Sequence, residues 1–246
     1  MVVSGTALAS NRPFTYTYTT YAAPAGQWEF EQWVEYQGKT EEDSDFQRWG
    51  FREEIEFAPT DNLSLAFYAP NWHYQESSDG SETKFDSFAL EAIWYLTNPV
   101  TDPVGIGLYA EVSGGDEDAA VEGKLLLHKD IGKWTLAYNL IMETEVEDAW
   151  KSEKEYEGEL GHSFGVAYSL PNGIKVGAEL TIESEYEDWK RYEKTAIYAG
   201  PAFSYQGGKI FGSDADWWVA VTPMFLIGSN AEEPDFKTRM ILGVEF

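Results

Sequence analysis

Apolar and polar positions alternate one for one along most of this chain. Trp28, Phe30, Val34 and Tyr36 share one parity, and Glu29, Glu31 and Glu35 share the other. The same pattern recurs in Phe88 to Leu96, Val104 to Val112, Val121 to Leu127, Trp134 to Met142, Tyr156 to Leu170, Ile174 to Ile182, Ile197 to Tyr205 and Trp217 to Ile227. A period of two belongs to a strand with one apolar face and one polar or small-residue face, and a helix does not produce it. Each such segment is therefore expected to be a strand.

The connections carry a second signal. In order they read TEEDSD, PTDN, ESSDGSE, NPVTDP, GGDEDA, IGK, EVEDAWKSEK, PNG, EYEDWKR, QGGKIFGSD and NAEEPD. Odd members are acidic, and even members are mostly short turns built on Pro, Asn, Asp or Gly. One end of the domain thus carries tight turns and the other carries charged loops. Eleven connections from Trp28 to Phe246 imply about twelve strands, an even number, in a plain up-and-down meander.

A soluble β-sandwich or barrel would alternate in the same way, with its acids in water. The aromatic residues favour a membrane barrel. Trp28, Tyr36, Trp49, Phe57, Trp134, Tyr168, Tyr186, Tyr205 and Trp217 lie toward segment ends on the apolar parity, where the interfacial girdles of a transmembrane barrel belong. The expected fold is all-β: a closed antiparallel transmembrane β-barrel of about twelve strands over residues 28–246.

Composition narrows the function classes. No run approaches the ~18 apolar residues of a membrane helix. Forty-three acids against seventeen bases give a formal net charge of -26, a field that repels nucleic acid and attracts cations. Cysteine is absent, which removes disulfides and thiolate chemistry. Near the N-terminus, Ala7-Leu8-Ala9 has the small-x-small form of a signal-peptidase site, so residues 1–9 read as a signal-peptide remnant. Residues 10–27 are left as an N-terminal segment, periplasmic or lumenal.

The last residues, TRMILGVEF, place Met240, Leu242, Val244 and the terminal Phe246 on one parity. This resembles the C-terminal signal of Gram-negative outer-membrane β-barrel proteins, and RPFTYTYTTYAAPAGQWEFEQWVEY is similar to the start of some uncharacterised members. The resemblance implies an outer-membrane location, insertion by the barrel assembly machinery, and contact with outer-membrane lipid and lipopolysaccharide. It names no substrate.

Three places break the pattern. Glu53 falls on the apolar parity of its strand, where a bulge would re-phase it. Pro70 and Pro223 lie inside strand segments, where proline favours a bulge or a break.

The enzyme-like motifs lack the context their chemistry needs. GHSFG, residues 161–165, fits the G-x-S-x-G nucleophile elbow, but the elbow needs a strand that ends at the serine, and here the serine lies within a long alternating run. The outer-membrane phospholipase, similar in strand number, uses a His and a Ser two residues apart. His162 and Ser163 are adjacent and diverge, and neither His73 nor His128 has a serine two positions away. Three scattered histidines have no zinc-ligand spacing, and no cofactor is expected. The acidic loops, GGDEDA among them, suit weak divalent-cation binding without matching an EF-hand.

The inward parity is the remaining candidate for function. Arg52, Glu54, Glu91, Glu111, Glu122, Lys124, Lys175, Glu179, Glu183 and Arg239 are expected to line the lumen, with acids in excess. Carboxylates along a water-filled passage favour cations over anions. The reading is a non-enzymatic small porin or narrow diffusion channel that passes small solutes or cations. The alternative is a non-conducting barrel that anchors an envelope protein partner.

Overall fold

The computed structural model describes residues 12–210, 213 and 215–246. The expected signal-peptide remnant lies outside the described residues. Twelve strands follow in chain order: β1 (Trp28–Gly38), β2 (Gln47–Thr60), β3 (Leu63–Ser77), β4 (Gly80–Thr97), β5 (Gly105–Gly114), β6 (Ala119–Ile131), β7 (Trp134–Glu147), β8 (Glu155–Ser169), β9 (Ile174–Glu187), β10 (Arg191–Lys209), β11 (Asp216–Ser229) and β12 (Phe236–Glu245). Each pairs antiparallel with its chain neighbours. β1 pairs with β12 from Glu29↔Glu245 to Gly38↔Phe236, which closes the barrel.

Burial along the strands inverts that of a soluble domain. Large apolar side chains are exposed on the outside, among them Ile55, Phe67, Leu90, Trp94, Val121 and Phe164, while Glu31, Glu54, Glu91, Asn139 and Glu179 are 0–3% exposed on the inside. Soluble proteins seldom bury a row of acids while exposing an apolar band. A barrel whose solvent on one side is lipid does. This excludes the sandwich.

Aromatic pairs ring both rims. Trp28 with Phe57, Trp134 with Tyr168 and Tyr205 with Trp217 sit at the end that holds both ends of the barrel chain, with ring centroids 4.5, 4.9 and 5.5 Å apart. Tyr36 with Trp49 and Tyr186 with Trp189 sit at the opposite end. The short connections gather at the first end. IGK turns through Gly132 at φ 63° and PNG through Asn172 and Gly173 at 65° and 77°, the left-handed conformation that Asn and Gly tolerate.

The irregular positions resolve individually. A bulge falls in β3 at Pro70, so that Tyr68 and Asn71 both face inward on either side of it. It does not re-phase Glu53. The β1–β2 register runs unbroken from Trp28↔Phe57 to Gly38↔Gln47, so Glu53 stays on the outward parity opposite Gln32. On the other side of the barrel, β10 and β11 pair at Ala199↔Phe225 and again at Phe203↔Val221. Between these, Pro201 falls opposite Pro223 and the ladder is interrupted. The strands also crowd here: a Cβ at Gly200 would collide with the Pro223 carbonyl oxygen.

Candidate functional site

The lumen is not empty. Residues 12–21 join no strand ladder; they lie inside the barrel, in the half nearer the termini, held by side chains of the wall. Glu179 on β9 is the central anchor. One of its oxygens accepts the backbone N–H of Thr15 at 3.0 Å, and the other accepts those of Tyr16 and Thr17 at 2.9 and 2.8 Å. Thr222 on β11 donates its hydroxyl to the same carboxylate at 2.6 Å, which fixes its orientation.

Further along, Asn139 on β7 makes a reciprocal pair with Tyr18. Its Oδ1 accepts the Tyr18 N–H at 2.7 Å and its Nδ2 donates to the Tyr18 carbonyl at 3.0 Å. The Thr20 N–H donates to His128 Nδ1 at 3.2 Å, and the Tyr21 hydroxyl donates to Asp130 at 2.7 Å. Arg239 reaches in from β12 to donate to the Thr15 carbonyl at 3.2 Å. Backbone groups of an irregular segment that leaves water need such partners. Here the wall supplies them as side chains, since the strands spend their own backbone groups on each other.

Shape matches as well. Phe14 is 1% exposed and packs with Ala137, Ala167 and Ala202. A Cβ built on Gly165 would come 2.7 Å from its ring. Gly165 belongs to GHSFG, so that motif makes a recess in the wall for an aromatic ring and forms no elbow. Within it, Ser163 points inward to Asn139 at 3.2 Å, and His162 points outward to the Tyr138 hydroxyl at 2.9 Å.

Most of the inward bases pair with acids, which remain in excess. Arg52 lies 3.7 Å from Glu111 and 4.2 Å from the centre of the Tyr68 ring. Lys124 pairs with Glu122 at 2.8 Å and sits over Tyr109. Lys237 holds both oxygens of Glu183 at 2.8 and 2.9 Å, and Arg239 holds Glu35 at 2.6 Å. Glu91 accepts the Tyr68 hydroxyl. Glu54 faces Arg12 of the inserted segment. Lys175 stands in none of these pairs; its Nζ is 5.3 Å from the Tyr21 ring.

Beyond the segment, the half of the barrel toward the acidic loops holds open space. A cavity of about 350 Å³ has Tyr16 and Tyr18 of the segment on its floor, with Glu122, Glu159, Glu183 and Lys237 among its walls. A wider vestibule of about 510 Å³ lies beside the loop residues Asp116, Glu117 and Asp118. At the seam of the barrel, Met240, Leu242 and Phe246 are 43, 41 and 62% exposed on the lipid side, with Val244 half-buried on the same parity.

Sequence reading placed the acids on the inward face but did not find the residues that receive the segment. Asn139, His128, Thr222 and the bases' aromatic partners Tyr68 and Tyr109 were missed because polar and aromatic side chains at single positions carry no periodic signal. Inward small residues at 137, 165, 167 and 202 were the available clue.

No curated protein matches the sequence. Among solved structures, the chain is similar to the COG4313 outer membrane channel from Pseudomonas putida F1, with a TM-score of 0.68, 13% identity, and 92% of this chain and 97% of that one covered. It is also similar to the translocator domain of the autotransporter NalP from Neisseria meningitidis, with a TM-score of 0.48, 14% identity, and 90% and 88% covered. At 13% identity the likeness to the channel is one of fold, that of an outer-membrane β-barrel. The model of a family of unknown function, DUF6662, matches residues 6–236, and the chain belongs to that family.

Proposed function

We propose that the protein is a narrow diffusion channel of the bacterial outer membrane with a preference for cations, closed at rest by its own N-terminal segment. The observation that carries this reading is the manner of closure. The backbone N–H groups of residues 15–17 all donate to one carboxylate, Glu179, and these residues take no part in the strand ladders. The segment can therefore leave while every ladder stays intact. Carboxylates line the route on both sides of it: Glu54 and Glu91 beside the segment, Glu111, Glu122 and Glu183 beyond it. Such a lining lowers the free energy of a cation in the lumen and raises that of an anion. The similarity in fold to a protein described as an outer membrane channel points the same way.

In this reading Met240, Leu242, Val244 and Phe246 present the strand signal to the assembly machinery, and the outer wall meets lipid and lipopolysaccharide. A filled lumen also suits the second reading, a non-conducting barrel that anchors an envelope partner through its acidic loops.

Planar-bilayer recording under a salt gradient separates the two. The intact protein is expected to give small or rare conductance steps with a cation-selective reversal potential, and deletion of residues 10–21 is expected to raise the conductance severalfold. A folded, inserted deletion variant that stays silent would overturn the channel.

A further inference from the structure

Arg12 of the inserted segment meets two carboxylates of the barrel wall. Glu31 on β1 and Glu54 on β2 are directly opposite in the strand register, and both side chains are 0% exposed. Like charges facing each other across a ladder destabilise it, so this part of the wall calls for a cation. Among the described residues the wall brings no base of its own within ion-pair distance of the two. The cation comes from the inserted segment: Arg12 Nε lies 3.0 Å from Glu31 and Arg12 Nη2 3.8 Å from Glu54.

The surroundings select for a guanidinium. Trp33 donates its indole N–H to the second oxygen of Glu31 at 2.7 Å and so holds that carboxylate in place. The Arg12 guanidinium carbon is 4.6 Å from the centre of the Tyr18 ring and 5.2 Å from that of Trp33. Tyr18 leaves with the segment, but Trp33 stays with the wall, and two carboxylates beside its ring suit a planar, weakly hydrated cation better than a compact ammonium. The site is also under-filled. Among the described residues no base donates a hydrogen bond to either buried oxygen of Glu54, and Arg12 stops 3.8 Å short of it.

We propose that Glu31, Glu54 and Trp33 form a binding site for small solutes bearing a guanidinium group, and that Arg12 is its tethered occupant, which such solutes displace. The site then links the solute to the release of the segment. This inference rests on the reading of the N-terminal segment as a displaceable plug. A tethered ligand competes at an effective concentration in the millimolar range for a short flexible linker, so the intact protein should bind a free solute more weakly than a variant lacking Arg12.

The test is calorimetric titration of the full chain in detergent with n-butylguanidinium, n-butylammonium and the neutral n-butylurea, with folding verified by heat-modifiable gel mobility. Arg12→Ala is expected to bind n-butylguanidinium at least tenfold more tightly than the intact protein. It should prefer that solute to n-butylammonium and ignore n-butylurea, and the double variant Arg12→Ala, Glu54→Gln should lose the binding. Equal affinity in the intact protein and Arg12→Ala, or undiminished binding in the double variant, would overturn the site. Should Arg12→Ala not fold, amide hydrogen exchange at Tyr16 and Thr17 of the intact protein decides: n-butylguanidinium should accelerate it, and no change refutes the proposal. Binding without conductance in any variant would sink the channel and leave the site standing, whereas conductance without binding would do the reverse.

Discussion

The ring of Phe14 occupies the space that a side chain at Gly165 would need. The two residues are far apart in the chain, and their fit couples the N-terminal segment to the wall of β8.

Gly165→Val should therefore expel the segment while suiting the strand, since valine is a good strand former. Overpacking of this kind costs about 1–3 kcal/mol, which is roughly a five- to 150-fold shift of the closed-to-open ratio. Single-channel recording should show longer open times than in the intact protein. Unchanged gating would mean that Phe14 does not hold the segment.

Glu179→Ala should release the same segment by another route. Three backbone N–H groups would lose their acceptor, at about 1–3 kcal/mol for each donor left buried and unpaired. The bound state of the segment should weaken accordingly, with its residence outside the lumen rising. Limited proteolysis between residues 12 and 21 reads this directly, with cleavage expected in the variant and protection in the intact protein.

Lys237 neutralises Glu183 through two hydrogen bonds beside the cavity above the segment. Lys237→Gln should leave that carboxylate uncompensated and raise the cation-to-anion permeability ratio of the open channel. Glu183→Gln should lower it. Reversal potentials under a salt gradient measure both, and shifts in the same direction for the two variants would count against a charge-selective lumen at this level.

In the loop between β1 and β2, Asp43 accepts the Ser78 N–H on one oxygen and the Asp45 N–H on the other, both at 2.9 Å. These backbone donors, Ser78 foremost, hold its pKa below the usual aspartate value. A folded-state pKa below the unfolded one means that the contribution is present above the unfolded value and lost as pH falls through the folded value. The contact between this loop and the β3–β4 hairpin should thus persist at neutral and mildly acidic pH and loosen only below the ordinary aspartate range. Hydrogen exchange at the Ser78 amide, corrected for intrinsic rates, checks this: protection should fall only at that low pH. In Asp43→Asn, protection should no longer change over that interval.

The fold was legible in the sequence because the pleat of a strand acts locally. Alternation over ten residues, turn residues at one end and acidic loops at the other specify strands, their number and their antiparallel order without reference to distant parts of the chain. The terminal Phe246 on the lipid-facing parity of β12 was legible for the same reason. Tertiary structure alone decided where residues 12–21 lie, because their partners Glu179, Asn139 and His128 are more than a hundred positions away and meet only when the barrel closes. It also decided that Glu53 keeps its outward place while β3 absorbs the extra residue at Pro70, since the fate of a misplaced charge depends on the register of two neighbours at once. The pairing of the inward charges falls under the same limit: parity assigns a side chain to the lumen, but only the curvature of a closed sheet brings Lys237 to Glu183 and Arg12 to Glu31.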